Sequence, residues 1–388
     1  MADYPSEISA PARRIALTNS TTEYVVRFRL PLLQALRREG YDVVVVSPED
    51  AYVDDLYAAG FSHHPIRLEG ASTGPITELI ALRDLYRAYR HIKPDLVLHF
   101  TPKVDIYGGL VARRLGIPFI NNLSGMGTAI TRGGWLGALV NRLLQLSQGK
   151  AEHLFVQNPD DLDHVLGRKI AARDQVSVLP GSGVDLAAFP FKPLPVETSD
   201  SGAVHFVLIA RLVAEKGVKE FMESAAIVRK AYPRARFSIV GSIPPGQGGR
   251  IAASEIKAWA LEPGQSWLGK KASVQSIIEE ADCVVLPSYY REGTPRILLE
   301  AASMGRPLIA ADSIGTREPV VDHHNGLLCA PRDADSLAEA MQTMIELGSQ
   351  RRAEMGRAGR RLMEKYYDVR FVVSAYLRKI NQTLGQSQ

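Results

Sequence analysis

Four side chains in the C-terminal half have types and spacings that could do chemistry together. Arg211 closes the apolar run "VHFVLIAR", and Lys216 follows five residues later in "ARLVAEKG". Two cations at the turn from a strand into a helix can grip a diphosphate, although the same pair also fits an ordinary solvated loop. Glu292 and Glu300 lie eight positions apart in "REGTPRILLEA", with a Thr-Pro pair and the run Ile297, Leu298, Leu299 between them. Thr294 suits an N-cap and Pro295 a first helical position, so a helix is expected from about residue 295. Its free N–H groups, including those near Gly293 and Thr294, would face the loop that holds Glu292 and favour an anion there. Glu300 falls inside that helix. A buried carboxylate needs hydrogen bonds. Sugar hydroxyls could supply them; Arg296, four residues earlier, could instead pair with it on a wet face.

A third segment, "VGSIPPGQGGR" at 240–250, follows a strand and contains Gly241. It reads either as a close backbone approach to a ligand or as a flexible turn. No G-x-G-x-x-G occurs there, which argues against a dinucleotide fingerprint.

The elements that position these residues alternate. "RIALTN", "YDVVVVSP", "DLVLHF", "IPFINNLS", "AEHLFVQN" and "VSVLPG" read as strands, separated by helices such as "PLLQALRREG" and "VDIYGGLVARRLG". A second series runs through "AVHFVLIARL", "RFSIVGS", "QSWLG", "DCVVLPS", "RPLIAAD" and "GLLCAP". Short apolar strands without polar alternation imply sheets covered on both faces, a doubly wound α/β pattern. Two Rossmann-like domains are expected at 12–188 and 203–365, joined by the proline-bearing linker 189–202. A last helix within 366–388, with Phe371, Val372, Ala375, Tyr376 and Ile380 on its apolar face, is expected to pack back on the first domain. Facing domains would place a ligand in the cleft beyond their strand ends.

Length agrees with this: 388 residues exceed one ordinary core. The charge sum is 46 − 42 = +4, too small an excess to argue for nucleic acid. Cys283 and Cys329 each sit in an apolar segment, as buried free thiols of a reducing compartment do. The first residues carry no apolar core after a basic start, and no run reaches the roughly 18 apolar residues of a membrane span. A cytoplasmic protein is therefore expected. No metal is expected either. The acids of "DLD" at 161–163 and "DAD" at 333–335 read as helix-start acids, and His63–His64 and His323–His324 as turn residues without a third ligand.

Taken in order, "LPGSGVDLAAF", "ARLVAEKG" and "YREGTPRILLEAASMGRPLIAAD" resemble the family 4 glycosyltransferases of the GT-B fold, whose hallmark is glutamate, seven residues, glutamate. "HFTPKVDIYGGLVARRLGIPFINNLSGMGTAI" at 99–130 resembles the bacterial subgroup that extends lipid-linked oligosaccharides, such as the N-acetylgalactosaminyltransferases acting on bacillosaminyl-diphospho-undecaprenol. The loop "TNSTTEYVVRFR" lacks the double glycine of many members.

The resemblance implies a retaining transfer from a UDP-sugar to an undecaprenyl-diphosphate-linked sugar, without metal or other cofactor. Arg211 and Lys216 would hold the diphosphate, Glu292 the donor sugar and Glu300 the ribose. Gly241, Leu268, Gly293, Thr294 and Pro295 would complete the donor side. His99, at the end of a first-domain strand, would face the cleft and meet the donor sugar. Asn19, Arg27 and Lys103 would serve the acceptor. A polyprenyl acceptor implies work at the cytoplasmic face of the inner membrane. The segment "RGGWLGALVNRLLQLSQGK" at 132–150 suits an interfacial helix, and equally a core helix. Rival readings are a transferase with a soluble acceptor, a UDP-N-acetylglucosamine epimerase and a two-lobed sugar-binding protein.

Overall fold

The computed structural model describes residues 12–68, 74–125, 134–196, 203–243 and 251–385, apart from the side chains at 135 and 136. Most of the Gly/Pro-rich loop (244–250), the end of the linker (197–202) and residues 126–133 therefore lie outside the described residues.

The N-terminal sheet contains β1 (Arg14–Thr18), β2 (Asp42–Ser47), β3 (Ser62–Pro65), β4 (Leu96–Phe100), β5 (Phe119–Leu123), β6 (His153–Val156) and β7 (Val176–Val178). They lie in the order β3-β2-β1-β4-β5-β6-β7, and every neighbouring pair is parallel. The C-terminal sheet contains β8 (His205–Ile209), β9 (Arg236–Val240), β10 (Gln265–Trp267), β11 (Cys283–Leu286), β12 (Leu308–Ala311) and β13 (Gly326–Cys329). Its order is β10-β9-β8-β11-β12-β13, again all parallel. Parallel strands need helical crossovers, and these cover both faces. All five residues of β4 and of β5 are accordingly buried. Strand order reverses beside β1 and beside β8, and the crevice of such a sheet opens there, at the carboxyl ends.

The last helix, Val369–Leu384, begins where the Asp368 side chain accepts a bond from the N–H of Arg370. Val372, Tyr376 and Ile380, spaced by one helical turn, enter the core of the N-terminal domain beside Leu33, Phe100 and Phe155. Each such burial contributes roughly 1.5–3 kcal/mol before the cost of ordering the chain. The Tyr376 hydroxyl accepts a bond from Asn122 at 2.7 Å, so the polar tip is satisfied. Phe371 lies off this stripe and stays 45% exposed, contrary to the expected face.

Three local expectations need correction. "TTEYVVRF" is a loop in the sequence reading, but Thr22–Phe28 is a helix, capped by the Thr21 hydroxyl on the N–H of Tyr24. His63 and His64 lie on β3 at the sheet edge, not in a turn. The helix after the Thr-Pro pair is Arg296–Ser303, with Pro295 as its cap residue and no side-chain capping bond.

Candidate active site between the two sheets

A cavity of about 380 Å³ lies where the carboxyl ends of the C-terminal strands meet the Thr22–Phe28 helix. Ala210 and Arg211 enter it after β8, Gly241 and Ser242 after β9, and Pro295 and Arg296 at the start of the Arg296–Ser303 helix. Glu23, Arg27 and Phe28 supply the opposite wall. Gly241 has φ +149°, and a side chain there would run into the Ala210 carbonyl, so only glycine fits this wall. Leu268 follows β10, is 39% exposed and is not part of the cavity lining.

The lining is strongly basic. Arg27, Arg211, Lys216, Lys270, Lys271 and Arg296 all face the cavity, against Glu23 and Glu292. A concave site with this excess of cations concentrates anions. Lys216 ends a short 3-10 turn, Ala214–Lys216, which the left-handed Gly217 closes before the helix Val218–Ala231. Its ammonium lies 2.6 Å from both carboxylate oxygens of Glu292. The Ser288 hydroxyl donates to Glu292 Oε1 at 2.9 Å. Arg211 is exposed, and its side chain makes no ion pair among the described residues. Lys270 reaches across the cavity to Glu23 at 3.2 Å. The start of the Arg296–Ser303 helix opens on the same space; the first N–H groups of a helix lack intrahelical partners, and here that of Leu298 donates to the Pro295 carbonyl.

Glu300 is 9% exposed. Burial pushes its carboxyl above the ordinary range, and Arg296 and Arg27 pull it back. Arg296 donates to Glu300 Oε1 at 2.7 Å, and its guanidinium lies 5.1 Å from the centre of the Phe28 ring. The pairing of Glu300 with Arg296, the alternative to sugar hydroxyls in the sequence, is thus present, but in a largely dry setting rather than on a wet face. Thr294 does not cap the helix; its hydroxyl donates to the Gln157 carbonyl of the N-terminal domain at 3.1 Å. The physical reason is the bend at Pro295, which keeps an extended backbone at φ −64°, ψ 120°.

The candidates in the N-terminal domain are less available than their strand-end positions suggest. His99 does not face the cleft: its side chain is fully buried, with Nε2 2.9 Å from the Tyr89 hydroxyl and Nδ1 2.6 Å from Asn121 Oδ1. It lies on the side of β4 that packs against the helix Pro102–Leu115, at Gly108. Side chains alternate along a strand, so lying near its end does not choose the face. Lys103 pairs with Glu78 at 2.8 Å. Asn19 is 2% exposed, and its carbonyl oxygen accepts from the N–H of Ser20. Arg27 does line the cavity, and it donates to the Tyr52 hydroxyl at 2.8 Å.

Burial lowers His99 from the ordinary 6.5 to about 4. Between these values the unfolded chain binds a proton that the folded one refuses, so stability falls as pH drops from about 6.5 toward 4. Thermal melts across this range should show that slope. His99→Gln should flatten it in part, leaving the share of His153, which burial also lowers to about 4. An unchanged slope in the variant would contradict this account.

Sequence reasoning missed Glu23, Lys270, Lys271 and Ser288. Glu23 was legible in part: it stands four residues before Arg27, behind a Thr cap, and pairs with it at 3.1 Å. For the two lysines no local signal exists, because they follow an edge strand and reach the cavity only through the tertiary fold. Of the acids of "DAD" and "DLD", Asp333, Asp335 and Asp161 stand at helix starts, whereas Asp163 lies beyond the first turn. Asp333 caps Ala334–Glu346. In the helix Pro159–Gly167 the cap is Asn158, and Asp161 accepts from its side-chain amide.

Comparison with known proteins agrees with this geometry. Residues 195–362 match the family of glycosyl transferases group 1, and residues 14–158 match the family glycosyl transferase 4-like. The N,N'-diacetylbacillosaminyl-diphospho-undecaprenol alpha-1,3-N-acetylgalactosaminyltransferase of Campylobacter jejuni is 26% identical over 352 residues, 86% of this chain and 89% of that protein. The UDP-Gal:alpha-D-GlcNAc-diphosphoundecaprenol alpha-1,3-galactosyltransferase of Escherichia coli is 26% identical over 337 residues, 82% of this chain and 83% of its own. The crystal structure of Anabaena Alr3699/HepE in complex with UDP superposes with a TM-score of 0.75 at 17% identity, over 95% of this chain and 100% of that one. The two facing parallel sheets are the GT-B fold, and the chain belongs to the group 1 (family 4-like) glycosyltransferases.

Proposed function

We propose that the protein is a retaining, metal-independent glycosyltransferase that moves a hexose or N-acetylhexosamine from a UDP-sugar to a sugar carried on undecaprenyl diphosphate. The observation that carries this reading is the convergence of Arg211, Lys216 and the mouth of the Arg296–Ser303 helix beside Glu292. Both named bacterial relatives act, by their names, on diphospho-undecaprenol-linked sugars, and one uses UDP-galactose.

In this reaction the bond from the anomeric carbon to the β-phosphate oxygen breaks. A bond from the same carbon to the acceptor hydroxyl oxygen forms on the same face. The acceptor proton passes to the departing phosphate oxygen, so UDP and the extended glycan leave with atoms balanced. Arg211, Lys216 and the helix N–H groups stabilise the charge that grows on the diphosphate. They take the part that a divalent cation plays elsewhere. An arriving diphosphate competes with Glu292 for Lys216. The carboxylate so released is placed to accept hydroxyls of the donor sugar. Glu300 keeps Oε1 on Arg296 and offers Oε2 to the ribose.

The acceptor's lipid puts the work at the cytoplasmic face of the inner membrane. No helix among the described residues is long and apolar enough to cross a membrane. The helix Gly134–Gln148 buries Leu144 and exposes Leu139 and Leu146 at 45% and 40%, and Arg113 of the neighbouring helix donates to its Leu146 carbonyl. It thus has a core face and an outer apolar edge flanked by cations, which suits an anionic lipid surface.

A panel of UDP-sugars with undecaprenyl-diphosphate-linked and soluble sugar acceptors, with and without EDTA, tests the reading. Transfer to the lipid-linked acceptor should persist in EDTA, and proton NMR of the product should show the anomeric configuration retained. Activity lost on chelation and restored by manganese would overturn the charge assignment. Equal use of soluble acceptors would favour a transferase without a lipid partner. Conversion of UDP-N-acetylglucosamine with no acceptor present would favour an epimerase.

A further inference from the structure

Glu292 sits in a loop whose ends belong to the C-terminal domain but whose middle is held by the other domain. At its start, the Tyr289 N–H donates to the Glu215 carbonyl at 3.0 Å. From Arg291 onward the partners change. Arg291 donates through Nε and Nη2 to Asp161 Oδ1 at 3.2 and 3.1 Å. The Asn158 side chain donates to the Glu292 carbonyl at 3.4 Å, and Thr294 donates to the Gln157 carbonyl. All three anchors lie in residues 157–161, directly after β6 and in the cap and first turn of the Pro159–Gly167 helix. Asp161 is fully buried there, fixed by the Asn158 side chain, while the Arg291 side chain is 18% exposed. Gly125, after β5, meets the loop from the same side: a Cβ on it would lie 2.6 Å from the Gly293 nitrogen.

We propose that this N-terminal turn, with Asp161 and Arg291 as its main pair, is a positioning latch that sets the Glu292 carboxylate for the donor sugar. The proposal rests on the reading of Glu292 given above. Arg291 is the residue before Glu292, so its guanidinium fixes the backbone from which the carboxylate projects. Arg211 and Lys216 follow β8 and bond to none of residues 157–161; Lys216 meets the latched loop only through the Glu292 carboxylate, which the diphosphate displaces. Asp161 is a positioning residue and contacts no substrate. Its effect should therefore fall on the reacting sugar and spare UDP. The donor half of the site is completed only when the two domains are docked, so transfer chemistry and inter-domain contact are coupled at one loop.

A neighbouring ion pair provides the control. Arg317 reaches Asp160, on the same helical turn, at 2.8 Å, and both side chains are about one-third exposed. It joins the same two domains. Its side chain pairs with Asp160, Asp312 and Glu318 and with nothing in 288–295, although the turn that carries it packs on that loop through Ser313 and Thr316, which donate to the Ser288 carbonyl.

The test uses the full chain, the UDP-sugar that the panel shows to be turned over, and UDP alone as a binding probe. Asp161→Asn is nearly isosteric and keeps a partner for Asn158; Arg291→Gln removes the same pair from the accessible side. Each should lower kcat by about 10–100-fold, the scale of a displacement near 1 Å at a reacting centre. UDP affinity by calorimetry should stay within about twofold, the double variant should be no worse than the poorer single, and Arg291→Lys should recover part of the loss. Arg317→Gln should behave nearly as the wild type. Normal kcat in both single variants, UDP affinity falling in step with kcat, or an equal loss in Arg317→Gln would each overturn the latch. Glu292→Gln separates the two readings. If it leaves transfer intact, the donor-site reading fails whatever the latch variants do; if it is inactive, they judge the latch alone.

Discussion

Lys216→Ala is expected to reduce kcat by about 10²–10³-fold or more, the range seen when one fixed donor to developing charge is removed. Its side chain is only 12% exposed and lies at a strand-to-helix turn, where on the proposed reading it passes from the Glu292 carboxylate to the diphosphate. Removing it has two consequences. The diphosphate loses a point charge in a partly dry cavity, where such a charge counts for more than in water. Glu292 keeps only Ser288 as a side-chain partner, and its negative charge then faces the incoming phosphates. UDP affinity should therefore fall along with kcat. Circular dichroism should remain that of the wild type, because Lys216 contributes nothing to the apolar cores. Steady-state kinetics and UDP calorimetry on the same preparation check this. Turnover within a few-fold of the wild type would remove Lys216 from the mechanism.

Glu292→Gln should lose turnover by a similar factor but with the opposite effect on the nucleotide. The amide keeps the shape of the carboxylate and can still accept from Ser288. It cannot hold Lys216 as an ion pair, so the ammonium is free for the diphosphate before the ligand arrives. UDP should bind as tightly as to the wild type or more so, while the sugar loses its charged acceptor and kcat falls by about 10²–10³-fold. This divergence distinguishes a carboxylate that handles the sugar from one that only orders the loop. A parallel fall in UDP affinity would argue that Glu292 serves the nucleotide instead.

Much of the site was legible because its signals are local. Arg211 after an apolar strand, Lys216 before a glycine, and a carboxylate inside the helix that follows a Thr-Pro pair are all one-dimensional patterns, and the C-terminal cavity contains or adjoins each of them. The N-terminal candidates were read by the same strand-end logic with less success. His99 and Asn19 are spent inside the domain, and Lys103 is engaged by Glu78. The position of a residue on a strand says which end it is near. Which face it takes, and what already occupies its polar atoms, depends on helices far away in the chain.

Sequence periodicity and composition were enough to determine two series of buried parallel strands, the cationic turn after β8 and the pairing of Glu292 with a helix mouth, because these depend on residues within a turn or two of one another. Tertiary structure alone decided the rest. It lowered Glu23 and Arg27 over the cavity, brought Lys270 to face them, returned the last helix to the first domain through Tyr376, and joined Arg291 to Asp161 across 130 residues. Contacts of that span are set by how two sheets dock. The alternation of apolar and polar residues along one strand or helix carries no record of the docking.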